Sequence, residues 1–195
     1  MKETKDVKDT FCFLFAAILI LVFSSIPYWV ARDAQTDDLR FMGAYFDETD
    51  YAVHISMMHS GEMGEWAYQI RFSSENVPPA FLRMFYILLG HISKWLHLET
   101  ETTFHAARWV FGLIALYAIY QLCLNIFLER KHARTAFLLA ALGSGAGWLQ
   151  LMLGAPLEPI SPIDFWLIDT YVFFSISLFP AFSFTLALIA GAATL

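Results

Sequence analysis

Apolar and polar positions segregate along this chain in blocks of about 20 residues, the scale of helices that cross a bilayer rather than of a soluble domain's strands. Residues 1–10 form a charged head with Lys2, Lys5 and Lys8, and residues 11–30 carry no charge at all. That run predicts a transmembrane helix. A cleaved signal peptide has a shorter apolar region, and no convincing small-x-small site precedes Arg32, so the helix is expected to stay as an anchor. Residues 104–128 and 135–153 predict two further transmembrane helices. The second contains Gly143-Ser144-Gly145-Ala146-Gly147, where small side chains let neighbours approach while the glycines weaken the helix and mark a bend. Residues 171–195 predict a last transmembrane helix that holds Pro180 and stops without a polar flank, so the sequence reads as the front part of a longer, truncated protein.

The polar blocks set the topology. With lysines at the head, the positive-inside tendency puts the N-terminus in the cytoplasm and residues 31–78 outside as an extracytoplasmic loop. From Ala31 to Pro79 the chain has nine acids against three arginines, and this segment holds the whole negative excess of the sequence. Residues 79–98 fit two roles, an interfacial amphipathic helix or a transmembrane one, because Arg83, His91, Lys94 and His97 interrupt an apolar stretch. The interfacial role keeps the basic stretch Glu129–Arg134 in the cytoplasm and puts the 154–170 loop, with Pro156, Pro159 and Pro162, on the side of the acidic loop.

Composition agrees with this layout. A hydrophobic fraction of 58% with only 15% charged residues lies outside the range of soluble domains. The expected fold is therefore all-α, a polytopic transmembrane helical bundle whose large extracytoplasmic first loop contains short juxtamembrane helices. The acidic balance argues against nucleic-acid binding, and the bilayer is the expected partner. Cys12 and Cys123 both fall in apolar runs and cannot staple the polar loop. Walker, GxSxG, HExxH and CxxC motifs are absent, so templates from soluble enzymes do not apply.

Candidate chemistry concentrates in the acidic loop. If a helix begins near Thr49, then Asp47, Asp50 and His54 share one face and Tyr51 stands one turn from Asp47. Glu48 adds a second carboxylate at the same helix start. Such a face can hold a general base or a divalent cation, since hard cations take oxygen ligands. It can equally be a helix start, with Asp47 as the cap and acids at the positive end of the dipole. His54 and His59, five apart, do not have the spacing of a zinc pair. Arg71, Arg83 and Arg108 are cations near span ends, suited either to a lipid phosphate or to anchoring. Arg108 lies inside an apolar run, where a partner is expected. Asp164 and Asp169 make a second, weaker acidic patch that loop solvation explains.

The order of features resembles the N-terminal module of the GT-C fold integral membrane glycosyltransferases, among them the relatives that use polyprenyl-phosphate sugars to transfer mannose or aminoarabinose. An anchor helix is followed by Asp47-Glu48-Thr49-Asp50-Tyr51 reading D-E-x-x-Y, Met57-Met58-His59-Ser60-Gly61, Val77-Pro78-Pro79-Ala80-Phe81, and Ala107-Arg108 opening the next run. The likeness covers roughly residues 11–153. It implies a sugar moved from a polyprenyl-phosphate donor to an extracytoplasmic acceptor, with Asp47 and Glu48 catalytic and Asp50, Tyr51, His54, Arg71, Arg83 and Arg108 binding substrate. Val77 stands where the family has Lys or Glu, and Ala80-Phe81 where Pro-Leu is common, which puts a donor-phosphate contact there in doubt. On this reading a truncated chain is inactive alone. The residues also leave open a non-enzymatic role, a membrane scaffold or assembly subunit whose acidic loop docks a partner.

Overall fold

The computed structural model describes residues 2–145, 147–154, 162 and 166–195. All of its regular structure among these is helical: α1 Lys2–Asp33, α2 Glu48–Met63, α3 Met84–Leu96, α4 Thr100–Ile126, α5 Arg130–Leu142, α6 Gly147–Met152, a 3-10 turn Ile168–Thr170, α7 Val172–Leu178 and α8 Pro180–Ala192. Most of the 154–170 loop, with Asp164, lies outside the described residues, as does Ala146.

Two of these helices are long and apolar enough to cross a membrane, Asp9–Asp33 and Thr100–Ile126. At about 1.5 Å per residue their 25 and 27 residues exceed the ~30 Å hydrocarbon core. The other three apolar segments are shorter helices than their composition suggests. The expected run 135–153 is α5 followed by α6, separated by non-helical residues 143–145 where Gly143 and Gly145 remove the side chains that would hold a helix together. The run 171–195 is broken at Phe179, which is extended (φ −125°, ψ 127°) because the ring of Pro180 disfavours the α conformation in the residue before it. The segment 79–98 yields α3, whose 13 residues span about 20 Å, too short to cross alone.

The chain divides into two compact units, Met1–Ile26 with Arg108–Leu195, and Pro27–Ala107. In the first, α1, α4 and α5 share a core in which Phe13 stacks on Tyr120 (ring centroids 4.9 Å apart) and meets Phe137 (5.7 Å). Its most buried charged residue among those described is Arg108, 2% exposed. Arg108 donates to Ser24 Oγ (3.2 Å), Ser25 Oγ (2.9 Å) and the Ser177 carbonyl (3.4 Å), and so ties α1, α4 and α7 together. Ser25 Oγ also accepts from Trp109 Nε1 at 3.0 Å. Both serine hydroxyls donate back to the Leu21 carbonyl, at 2.8 and 2.9 Å, which leaves their lone pairs for the guanidinium.

The second unit is built on α2 and α3, which run in the same direction: His54 lies beside Tyr86 near one end and Glu62 beside Ser93 towards the other. Glycines set their separation. A Cβ on Gly61 would collide with the Ile87 carbonyl of α3, and one on Gly90 with the Met58 carbonyl of α2, so each helix seats a bare Cα against its partner's backbone. The return from α2 to α3 is pinched where Tyr68 and Ala80 exchange backbone hydrogen bonds of 2.9 and 3.0 Å, just past Pro78-Pro79.

Candidate functional site

Helix α2 starts at Glu48, one residue from the position the sequence indicates, and Asp47 is its N-cap. The Asp47 carboxylate accepts from the Asp50 N–H at 3.4 Å, and the Asp47 carbonyl from the Tyr51 N–H at 3.0 Å. Asp47 thus does the capping work that the alternative reading gave it. Its backbone is unusual for that work: φ 50°, ψ 55° is left-handed, whereas N-caps are ordinarily extended. An aspartate tolerates this region better than most residues, at some cost in strain. Asp47 and Glu48 are both exposed, and Asp50 is partly so.

One turn on, Tyr51 borders a cleft of about 620 Å³, a size typical of small-molecule sites. Ala52, Ile55, Met42 and Met63 give it apolar walls; Ser56, His59, Glu62, Arg71, Thr100 and Glu101 supply the polar groups. Glu62 is the hub. Thr100 Oγ1 donates to its Oε1 at 2.5 Å, Ser93 Oγ lies 2.7 Å from the same oxygen, and His59 Nδ1 donates to Oε2 at 2.7 Å. One carboxylate therefore binds α2 to both α3 and α4. Burial works to raise the Glu62 pKa, but the hydrogen bonds from Thr100, Ser93 and His59, with the His59 charge, outweigh it and hold the group below its usual value. Glu101 pairs with Arg32 at 2.9 Å. Burial, and then the Glu101 charge, push the Tyr51 phenol well above its usual range, so it stays protonated as a donor. Arg71 is exposed on the cleft and makes no ion pair among the described residues.

The expected face thus divides. Tyr51 and Arg71 meet at the cleft, and Asp47, Glu48 and Asp50 stand at the helix start that leads to it. His54 turns the other way, 2% exposed and stacked on Tyr86 with centroids 4.0 Å apart. Arg83 Nη1 donates to His54 Nε2 at 2.5 Å. Arginine only donates, so Nε2 must be the acceptor and the proton sits on Nδ1. Burial first, and the Arg83 charge second, bring the His54 pKa down from 6.5 to about 3. Arg83 is itself exposed in a left-handed conformation (φ 45°) as the N-cap of α3. Arg108 belongs to the other unit, where its described contacts are the serine hydroxyls and a carbonyl. Among the described residues no three His, Cys, Asp or Glu side chains converge as a metal site. Asp169 is exposed in the 3-10 turn.

The sequence reading singled out neither Glu62 as a hub nor Ser24 and Ser25 as partners of Arg108. A signal exists for the serines, since adjacent hydroxyls in an uncharged run match a lone arginine in the next long run. Glu62 had none, because Ser93 and Thr100 are 31 and 38 residues away. No protein-family model, curated protein or solved structure matches the chain.

Proposed function

We propose that the protein is a membrane-embedded glycosyltransferase of the GT-C type, moving a sugar from a polyprenyl-phosphate donor to an acceptor outside the cytoplasm. The observation that carries this reading is Asp47: an exposed carboxylate held in a left-handed backbone at the head of a glycine-locked helix pair, in a segment that follows a helix of membrane-crossing length. Left-handed strain at an exposed acid is the kind of feature that collects at working sites. Asp47 takes the proton from an acceptor hydroxyl as that oxygen forms its bond to the anomeric carbon. The bond from that carbon to the phosphate oxygen breaks, and the phosphate leaves with the electron pair. Arg71 and Arg83, both exposed, are the cations available to that phosphate. The cleft beside Tyr51, with carboxylate, imidazole and hydroxyl groups between apolar walls, suits a hydroxylated acceptor. Bacterial inner-membrane placement with a cytoplasmic N-terminus is part of the same proposal.

The test is transfer itself. Full-length protein in liposomes with a radiolabelled polyprenyl-phosphate sugar should move label from the organic phase to a water-soluble or acceptor-bound fraction. Label that stays on the lipid with every donor sugar offered, together with a loop that captures a protein partner even when Asp47 and Glu48 are both replaced, would favour the docking-scaffold reading.

A further inference from the structure

The free side of α3 carries no charge. Tyr86, Ile87, Leu89, Gly90 and Ser93 are its buried positions, and Ile87 and Gly90 lie against α2. At the helical spacing i, i+4, i+7 and i+8, Leu88, Ile92, Trp95 and Leu96 make up the opposite side, and all four are exposed. Lys94 falls outside this stripe. A contiguous apolar face whose side chains offer one polar group, the Trp95 indole N–H, marks a contact with something other than water. It is a poor match for another protein, because protein interfaces carry about one hydrogen bond per 100–200 Å².

Contacts within the same compact unit fix where the stripe stands. Arg32 in the last turn of α1 pairs with Glu101 in the first turn of α4 at 2.9 Å, so these ends of the two helices of membrane-crossing length lie together. Glu62 Oε1 takes both Thr100 of that turn and Ser93 of α3, which sets the last turn of α3 at the same level. Tyr86, near the start of α3, stacks beside Phe104, one turn further into α4, with centroids 6.2 Å apart. Helix α3 therefore lies beside the polar end of a span, its start towards the apolar stretch and Trp95 towards the charged end. We infer that α3 is seated in the bilayer, with Leu88, Ile92 and Leu96 among the acyl chains and the Trp95 indole at the headgroup boundary. The α2–α3 unit then rests on lipid instead of standing in water as a loop. Tryptophan favours that boundary, and Lys94 can extend from the flank of the stripe to the headgroups. The inference rests on α4 crossing the membrane and not on sugar transfer, so either can fail while the other stands.

Nitroxide labels on the full chain in palmitoyl-oleoyl-phosphatidylcholine liposomes read the surroundings of each position. With Cys12 and Cys123 replaced by alanine, single labels go on Leu88→Cys, Ile92→Cys and, as the reference on the exposed return between α2 and α3, Ser74→Cys. Oxygen partitions into lipid and a nickel chelate stays in water, so the ratio of the two relaxation effects reports depth. That ratio at Leu88 and Ile92 should exceed the one at Ser74 by roughly 10-fold. Both labelled sites are already exposed, and two positions one turn apart guard against a local distortion at either. A ratio at both positions equal to that at Ser74 would put the stripe in water and overturn the inference. Immobilised spectra at both, with little access for either reagent, would also overturn it, because a protein partner or a second copy of the chain would then cover the face.

Discussion

Arg108 and His54 are both 2% exposed nitrogen bases, yet the two units of the chain accommodate them in opposite ways. Arginine cannot shed its proton at accessible pH, so burial obliges the surroundings to supply acceptors, and Ser24, Ser25 and the Ser177 carbonyl do so. Histidine can shed its proton, so burial and the adjacent Arg83 turn it into a neutral acceptor. The apolar unit holds a permanent charge with dipoles that stay put, whereas the α2–α3 unit holds a neutral ring whose charge state depends on pH. The first arrangement is a fixed tie between helices. The second leaves Arg83 outside, braced at its guanidinium by a ring that is itself braced by Tyr86.

The contrast is breakable, and pH is the strongest lever. His54 has its folded-state pKa depressed below 6.5, so the unfolded chain binds the extra proton first. Its stabilisation is fully present above about 6.5 and is lost as pH falls towards about 3, on the order of 5 kcal/mol at most over the window. Glu62 acts in the same direction but only below its ordinary 4.5, so an unfolding midpoint that drops between pH 6.5 and 4.5 belongs to His54 of these two. The drop should flatten in His54→Gln, followed by circular dichroism in mild detergent. A native protein with no slope in that window would mean that His54 is already charged when folded.

Next in size is Gly90→Ala. Its new methyl meets backbone rather than a movable side chain, so thermal unfolding should show a loss of about 3 kcal/mol or more, with Gly61→Ala alike. In the other unit, Ser25→Ala removes the acceptor shared by Arg108 and Trp109 and should cost about 2 kcal/mol. Arg108→Met should cost less, about 1 kcal/mol, because both serine hydroxyls keep their bonds to the Leu21 carbonyl. If Arg108→Met proves worse than Ser25→Ala, the arginine is doing more than holding helices, and its place among the substrate-binding candidates regains force.

What could be read in advance follows from the range of the forces involved. Helices α1 and α4 were plain from composition, since an uninterrupted apolar run is a local property. The start of α2 was also local, because Asp47, Glu48 and Asp50 combine a cap with dipole-matched charge. The breaks at Gly143 and Phe179 were harder. Apolar composition reports burial or lipid contact but not helical continuity, although Pro180 and the glycine patch marked the places. The parallel pairing of α2 with α3 was hidden. Gly61 and Gly90 look like two ordinary helix-weakening glycines until each is seen facing the other helix's carbonyl. The division of the Tyr51–His54 face was likewise invisible, because adjacent positions on one helical stripe differ only in which neighbour covers them.

The central claim is that the Asp47 carboxylate is chemical and not merely a cap. Asparagine caps helices as well as aspartate does and also accepts the left-handed backbone, but it cannot take a proton. Sugar transfer by Asp47→Asn, measured in liposomes beside the native protein, separates the two roles. The account predicts unchanged helicity and a fall in turnover of about 100-fold or more; a variant that transfers sugar at the native rate would contradict it.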